Sequence, residues 1–315
     1  MKKIFIGVLV FFLAAVALVY VVVPAEVKVS TVSVIRANEY AVFRHLINEG
    51  NWKKWWPSNS SLTTEKNLDG FYLNGYVFKT GAKQLDRIEV IITRKDQSAS
   101  SLMNWSAMSP DSIIMSWTTT LATSSNPISK INNYFEAKKL KQSMEQVVSN
   151  LKTFAEKKES LYGLHVIQTK VTDTILLVTK TVIKEAPTDA QVYSYIAMLR
   201  KYIAANKASE TNFPMLNIGY SKERKSYEVM VAIAVNKKLP GNNVIALKRM
   251  VAGNILYAEI TGGQHTVKEG IRQMEQYVSD HQKISPALPF QLLVTDRIKE
   301  KDTAKWVTRI YYPIL

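Results

Sequence analysis

Thr174-Ile175-Leu176-Leu177-Val178 and Asn254-Ile255-Leu256-Tyr257-Ala258 stand about 80 residues apart and read alike: an apolar run, a turn signal, then an amphipathic helix. Tyr227-Glu228-Val229-Met230-Val231-Ala232-Ile233 returns in the same way as Trp306-Val307-Thr308-Arg309-Ile310-Tyr311-Tyr312. Each copy reads as strand, helix, strand, strand. The first helix, near 189–205, carries Val192, Ile196, Leu199 and Ile203 on one stripe; the second, near 266–280, carries Val267, Ile271, Met274 and Val278.

Alternation sorts the closing strands onto two faces. Trp306, Thr308, Ile310 and Tyr312, with Tyr227, Val229, Val231 and Ile233, suit packing under the helices. Val307, Arg309 and Tyr311, with Glu228, Met230 and Ala232, mix charge, aromatic surface and small side chains, which suits a groove. Glu228 lies one same-face step before Met230, the counterpart of Arg309. The pattern therefore places Glu228 and Arg309 across the groove, either as a structural pair or as anchors for the two ends of a zwitterionic ligand.

Residues 165–315 resemble the GyrI-like small-molecule-binding domain, the effector-binding domain of AraC- and MerR-type regulators. The resemblance rests on the doubled pattern, on Gly262-Gly263 before the second helix and on the ending Thr308-Arg309-Ile310-Tyr311-Tyr312-Pro313-Ile314. Family members often end Thr-Glu-Ile-Tyr-Ile-Pro, with the glutamate in a cleft between the repeats where it pairs with a cationic ligand. Arg309 stands at that position here, so the resemblance implies an anionic, zwitterionic or neutral amphiphile instead. Arg309, Tyr311, Glu228, Met230 and Tyr257 are the expected ligand contacts; packing is the reading for Trp306 and Tyr312.

Outward from this half, Met1-Lys2-Lys3 precedes an apolar run from Ile4 to Val23, long enough to cross a bilayer as a helix. Residues 1–26 read as a transmembrane signal anchor. A cleaved signal peptide is the alternative, with the lysines as its n-region and Val23 and Ala25 as a weak cleavage site, but the run exceeds the usual h-region and Ala-x-Ala is absent. Lys2 and Lys3 predict a cytoplasmic N-terminus, which makes the chain a single-pass membrane protein with its bulk extracytoplasmic.

Between them, residues 27–160 read as a strand, a short helix, antiparallel strands and one long helix. Val27, Val29 and Thr31 change phase to Val32 and Val34, as a β-bulge would require. Asn38 is an N-cap for a helix carrying Tyr40, Val42, Phe43 and Leu46. Strands are expected at 71–78, 87–93, 101–106 and 112–122, and a helix at about 128–155 shows Leu140, Met144, Val147, Leu151 and Phe154 on one side. The Asn51-Trp52 to Trp55-Trp56-Pro57 cluster and that long helix resemble the START-like superfamily of polyketide cyclases and lipid-transfer proteins, whose helix-grip fold encloses an apolar cavity. Trp52, Trp55 and Trp56 are the candidates for that cavity's mouth, at least one of them packing on the long helix. Glu156-Lys157-Lys158-Glu159-Ser160 reads as the linker to a second domain at 161–315. The expected class is α+β throughout.

The chain's 315 residues, 47% of them apolar, are enough for two cores. With no cysteine, disulfides, thiolate metal sites and a cysteine nucleophile are excluded. A net charge of +15 fits an anionic membrane surface or an acidic ligand. Nucleic acid is discounted, because the basic residues are scattered and no helix-turn-helix, zinc-finger or RNA-binding signature occurs. His45, His165, His265 and His281 show no metal-ligand spacing, and there is no Gly-x-Ser-x-Gly, P-loop or dinucleotide fingerprint. No catalytic residue, metal or cofactor is assigned. The expected function is non-catalytic small-molecule binding; a hydrolase or cyclase using Glu228, and a ligand-sensing scaffold for another membrane protein, are the alternatives. Glu259, the other strand glutamate, is read as facing solvent.

Overall fold

A computed structural model describes residues 2–57, 70–95, 97–172, 175–250 and 252–315; Thr174 of the first repeat lies outside them. The chain divides into two units, Met1–Lys157 and Lys158–Leu315.

The first unit opens with helix α1 (Lys2–Val22). Its stretch Ile4–Val22 is the one helix among the described residues long and apolar enough to cross a membrane. Strand β1 (Glu26–Ile35) and helix α2 (Glu39–Ile47) follow. Asn38 caps α2 by accepting from the amides of Tyr40 and Ala41, as its place before the apolar stripe predicts. Val42 and Leu46 are buried, joined by Ala41 and His45, whereas Tyr40 is exposed. Strands β2 (Phe71–Leu73), β3 (Tyr76–Lys83), β4 (Arg87–Arg94), β5 (Gln97–Ser109) and β6 (Ser112–Ala122) complete an antiparallel sheet in the order β1-β6-β5-β4-β3-β2. Helix α3 (Pro127–Ala155) packs on β1, burying Leu140, Met144, Val147 and Leu151.

Three local expectations are corrected here. The β1–β6 register is continuous from Glu26↔Ala122 to Ile35↔Ile113, with no bulge. Val32 and Val34 are instead 59% and 41% exposed, because unbroken alternation turns them to the face opposite the buried Val29, Thr31 and Ile35. The single strand expected at 71–78 is a hairpin, broken at Asn74 and Gly75 with φ of 52° and 87°. Positive φ at both positions is what a tight hairpin demands, and Asn-Gly supplies it with least strain. In the expected linker, residues from Lys158 on already form helix α4 (Lys158–Tyr162), which buries Leu161 and Tyr162.

The second unit continues with β7 (Ile167–Lys170), β8 (Ile175–Ile183), α5 (Asp189–Ala205), β9 (Met215–Ser221), β10 (Ser226–Ala234), β11 (Ala246–Arg249), β12 (Asn254–Thr261), α6 (Gln264–Asp280), β13 (Phe290–Leu293) and β14 (Val307–Ile314). Its strand order is β11-β8-β10-β9-β13-β14-β12-β7. The triplet β8-β10-β9 thus meets the triplet β13-β14-β12 at a seam between β9 and β13. The seam is short, pairing only Gln291↔Leu216 and Leu292↔Met215.

Helix α5 starts at a capping box made by Thr188 and Gln191 and lays Val192, Ile196, Leu199 and Ile203 on Leu177, Val229, Val231 and Ile233. Burying each such side chain stabilises the fold by about 1.5–3 kcal/mol. Helix α6 packs closely on its own triplet, since a Cβ at Gly270 would stand 2.8 Å from Ile260 and 3.1 Å from Ile310. Both helices therefore claim the same face of the sheet, and the opposite face is left to form the site.

Candidate functional site

Period-two alternation turns Leu176, Val178, Met215, Ala232, Ala234 and Leu292 away from the helices into a second apolar cluster, with Met230, Met250, Phe290 and Tyr311 packed against it. Across this face Tyr257, Tyr311 and Phe290 are direct neighbours in register. Their rings stack, Tyr257 on Tyr311 at 5.4 Å and Phe290 on Tyr311 at 5.2 Å, with interplanar angles of 21° and 4°. Such a ladder is a flat, rigid apolar wall.

Two adjoining cavities of about 340 and 220 Å³ lie on this wall, sharing Val171, Met215, Met250 and Phe290. The first is floored by Leu176, Val178, Met230 and Ala232. The second holds Tyr257, Arg309 and Tyr311. Among the described residues the charged side chains on the two linings are Lys248 and Arg249 of β11, Lys170 of β7 and Arg309 of β14. All four are basic. A groove of this size with an apolar floor and a few polar groups at its edge is the usual form of a small-molecule site.

Four of the five side chains singled out in the sequence reach these cavities: Arg309, Tyr311, Tyr257 and Met230. Glu228 lines neither cavity. The expectation that Glu228 and Arg309 pair is not met. Glu228 takes Lys180 on β8 at 2.6 Å, and Arg309 donates from Nε to Glu259 at 2.9 Å. Each acid is answered by a basic side chain on the neighbouring strand, within ordinary cross-strand reach, before the groove can bring them together. The hydrogen bond to Glu259 also raises the Arg309 guanidinium above its ordinary pKa. Glu259, read as solvent-facing, remains half exposed but has this partner.

The sequence missed Met215, Met250, Phe290, Lys248 and Arg249. Met215 and Phe290 each follow a proline, Pro214 and Pro289, and each opens a strand at the seam. Asn217 fixes that corner by donating to the Pro289 carbonyl at 2.7 Å. That Pro-then-strand signal was available in both copies.

In the first unit, Trp52, Trp55 and Trp56 are 0, 2 and 7% exposed. Trp52 and Trp56 stack at 5.5 Å, and their indole N–H groups donate to the carbonyls of Leu46 and Tyr72. They form core there, and the 630 Å³ cleft in that unit is lined elsewhere, by Tyr76, Arg94, Asn133, Glu136 and neighbours. Among the described residues no group of three His, Cys, Asp or Glu side chains converges as metal ligands would.

No family model matches the chain, and no curated protein does. Solved structures do show likeness. The EcmrR C-terminal domain is 15% identical, covering 48% of this chain and 98% of its own at a TM-score of 0.40. SAV2435 bound to tetraphenylphosphonium is 11% identical, covering 48% and 94% at 0.33. A hydrolase from Listeria innocua is 11% identical, covering 48% and 91% at 0.36.

Proposed function

We propose that this chain is a membrane-anchored, non-catalytic binding protein. Its second unit is a duplicated strand-helix-strand-strand domain of GyrI-like type, and it holds an anionic amphiphile in the groove at the seam between the copies. The observation that carries this reading is the lining. An apolar floor of leucine, valine, methionine and stacked rings is edged by polar side chains, and among the described residues every charged one on the two linings is basic. A ligand with an apolar body and a negative head satisfies both halves of such a site; a cation would face Arg309, Lys170, Lys248 and Arg249. On this reading α1 is the anchor, the bulk of the chain is extracytoplasmic, and the first unit is a START-like helix-grip domain with a second cleft. A hydrolase or cyclase acting through Glu228 finds less support, since that carboxylate is engaged by Lys180 and lies off both linings.

The test compares octanoate, octanol and octyltrimethylammonium, one chain length with three heads, on the full chain in lipid nanodiscs. A ligand that binds only the folded state adds about 2.7 kcal/mol of stability at a hundredfold excess over Kd. Octanoate is expected to raise the melting temperature of the second unit most, octyltrimethylammonium least. Equal shifts for all three, or an octanoate shift unchanged in Arg309→Gln, refute the anionic reading.

A further inference from the structure

Helix α3 begins beside the last turns of α1. Tyr20, near the end of α1, donates its hydroxyl to the Ser125 carbonyl, and its ring lies 5.4 Å from the Lys130 ammonium. Val16 and Val19 are half-buried and Val23 is buried, while most of the remaining span is exposed. Val16 sits about 9 Å below the end of α1 at 1.5 Å per residue. The connection is also fastened: Thr123 donates from Oγ1 to the carbonyls of Pro24 and Ala25 at 2.8 and 2.9 Å. If α1 crosses a bilayer, the first turns of α3 are held at the depth where hydrocarbon gives way to headgroups.

The outward face of α3 fits that place. Ile128 and Phe135, seven residues apart and so on one helical face, are 71 and 55% exposed, opposite the buried Leu140, Met144 and Val147. Exposed Lys138 and Lys139 follow on the next turn, whereas Lys141 lies round the helix and pairs with Glu145 at 3.7 Å. The Lys138 ammonium rests over the rings of Tyr134 and Phe135 at 4.7 and 5.9 Å. The acid in the stretch, Glu136, is turned towards Arg94 and Lys139. Large apolar side chains bounded by lysines and an aromatic ring are the composition of a helix lying in a bilayer interface.

We propose that the N-terminal half of α3 is a second membrane contact, with Ile128 and Phe135 in the headgroup region of the leaflet that α1 leaves and Lys138 and Lys139 against anionic lipid. It rests on α1 spanning the bilayer and is independent of the groove. Because the chain has no cysteine, single cysteines can report on it directly. Leu9→Cys, Ile128→Cys, Phe135→Cys and, as a water-facing control, Leu85→Cys (84% exposed) would carry a nitrobenzoxadiazole label on the full chain in phosphatidylcholine vesicles with and without phosphatidylglycerol. Leu9 should be quenched by deep doxyl lipid. Ile128 and Phe135 should be quenched by shallow doxyl lipid and be several-fold less accessible to iodide than Leu85. Replacing Lys138 and Lys139 by glutamine should weaken shallow quenching at Phe135 only when phosphatidylglycerol is present. Labels at 128 and 135 that behave like Leu85, or that neither quencher reaches, overturn the proposal while a lipid-quenched Leu9 leaves the anchor intact. A Leu9 label open to iodide removes the anchor and the contact together.

Discussion

Arg297→Ala should cost the second unit about 3 kcal/mol. The Arg297 guanidinium is buried between α5 and β14, donating to Asp189 and to the Thr308 hydroxyl, each at 3.0 Å, with its Cζ 5.0 Å from the Trp306 ring centroid. Thr308 is fully buried, so truncation strips it of a charged donor, a loss of about 1.5–3 kcal/mol. The contact with Trp306 adds about 0.5–1 kcal/mol. Asp189 is 26% exposed and sits in the first turn of α5, where water and the helix dipole still favour its charge, so its share stays below about 1 kcal/mol. The sum falls at the low end of the roughly 3–5 kcal/mol typical of breaking a buried pair, as partial exposure requires. For a unit of this size that lowers Tm by about 6–12 °C. Hydrogen exchange of the β14 amides reads the second unit alone, and a cycle with Asp189→Asn separates the ion pair from the Thr308 bond. A loss under about 1 kcal/mol for Arg297→Ala would refute the reasoning.

Arg309→Gln should change folding stability by less than about 1 kcal/mol, since its pair with Glu259 is 37 and 49% exposed, yet weaken octanoate binding at least about tenfold; urea unfolding checks the first and calorimetric titration the second. Gly75→Ala, at φ 87° in the β2–β3 hairpin, should cost about 1–2 kcal/mol, seen as a lower urea midpoint for the first unit with an unchanged slope. Leu199→Ala, fully buried on the sheet-facing side of α5, should cost about 2–5 kcal/mol by the same assay on the second unit. Burial raises the Tyr193 hydroxyl above its ordinary 10.0. A group whose folded pKa is raised contributes stability below its unfolded pKa and loses it as pH climbs through the folded one, so the second unit should weaken above about pH 10 and Tyr193→Phe should flatten that decline.

What could be read from the sequence was whatever repeats over long range. The stripe of α5 lies where periodicity puts it, and so do Val267, Met274 and Val278 of α6, but Ile271 is half-buried while Gly270 and Tyr277 are buried in its stead. The two faces of β10 and β14 also follow alternation, which is why Met230, Tyr311 and Arg309 reach the groove. Partner choice did not follow. Whether Glu228 meets Arg309 or Lys180 depends on which strand lies beside β10, and that order is set by the whole sheet. Strand β11, which brings Lys248 and Arg249 to the groove, is four exposed residues with no burial alternation, so nothing local marks it. The hairpin at Asn74-Gly75 was missed for a different reason: Phe71-Tyr72-Leu73 and Tyr76-Val77-Phe78 are apolar at every position, so nothing but the turn chemistry marks where the buried set passes from Phe71 and Leu73 to Tyr76 and Phe78.

The join between β9 and β13 has a mechanical meaning. Along β12 and β14 eight residue pairs stand in register, but only two bridge the join. A load applied across the sheet, or a guest too bulky for the groove, will be felt first at Leu216 and Leu292. The weakest line in this half of the molecule runs beneath its proposed ligand, so a guest lying across it would act as a splint.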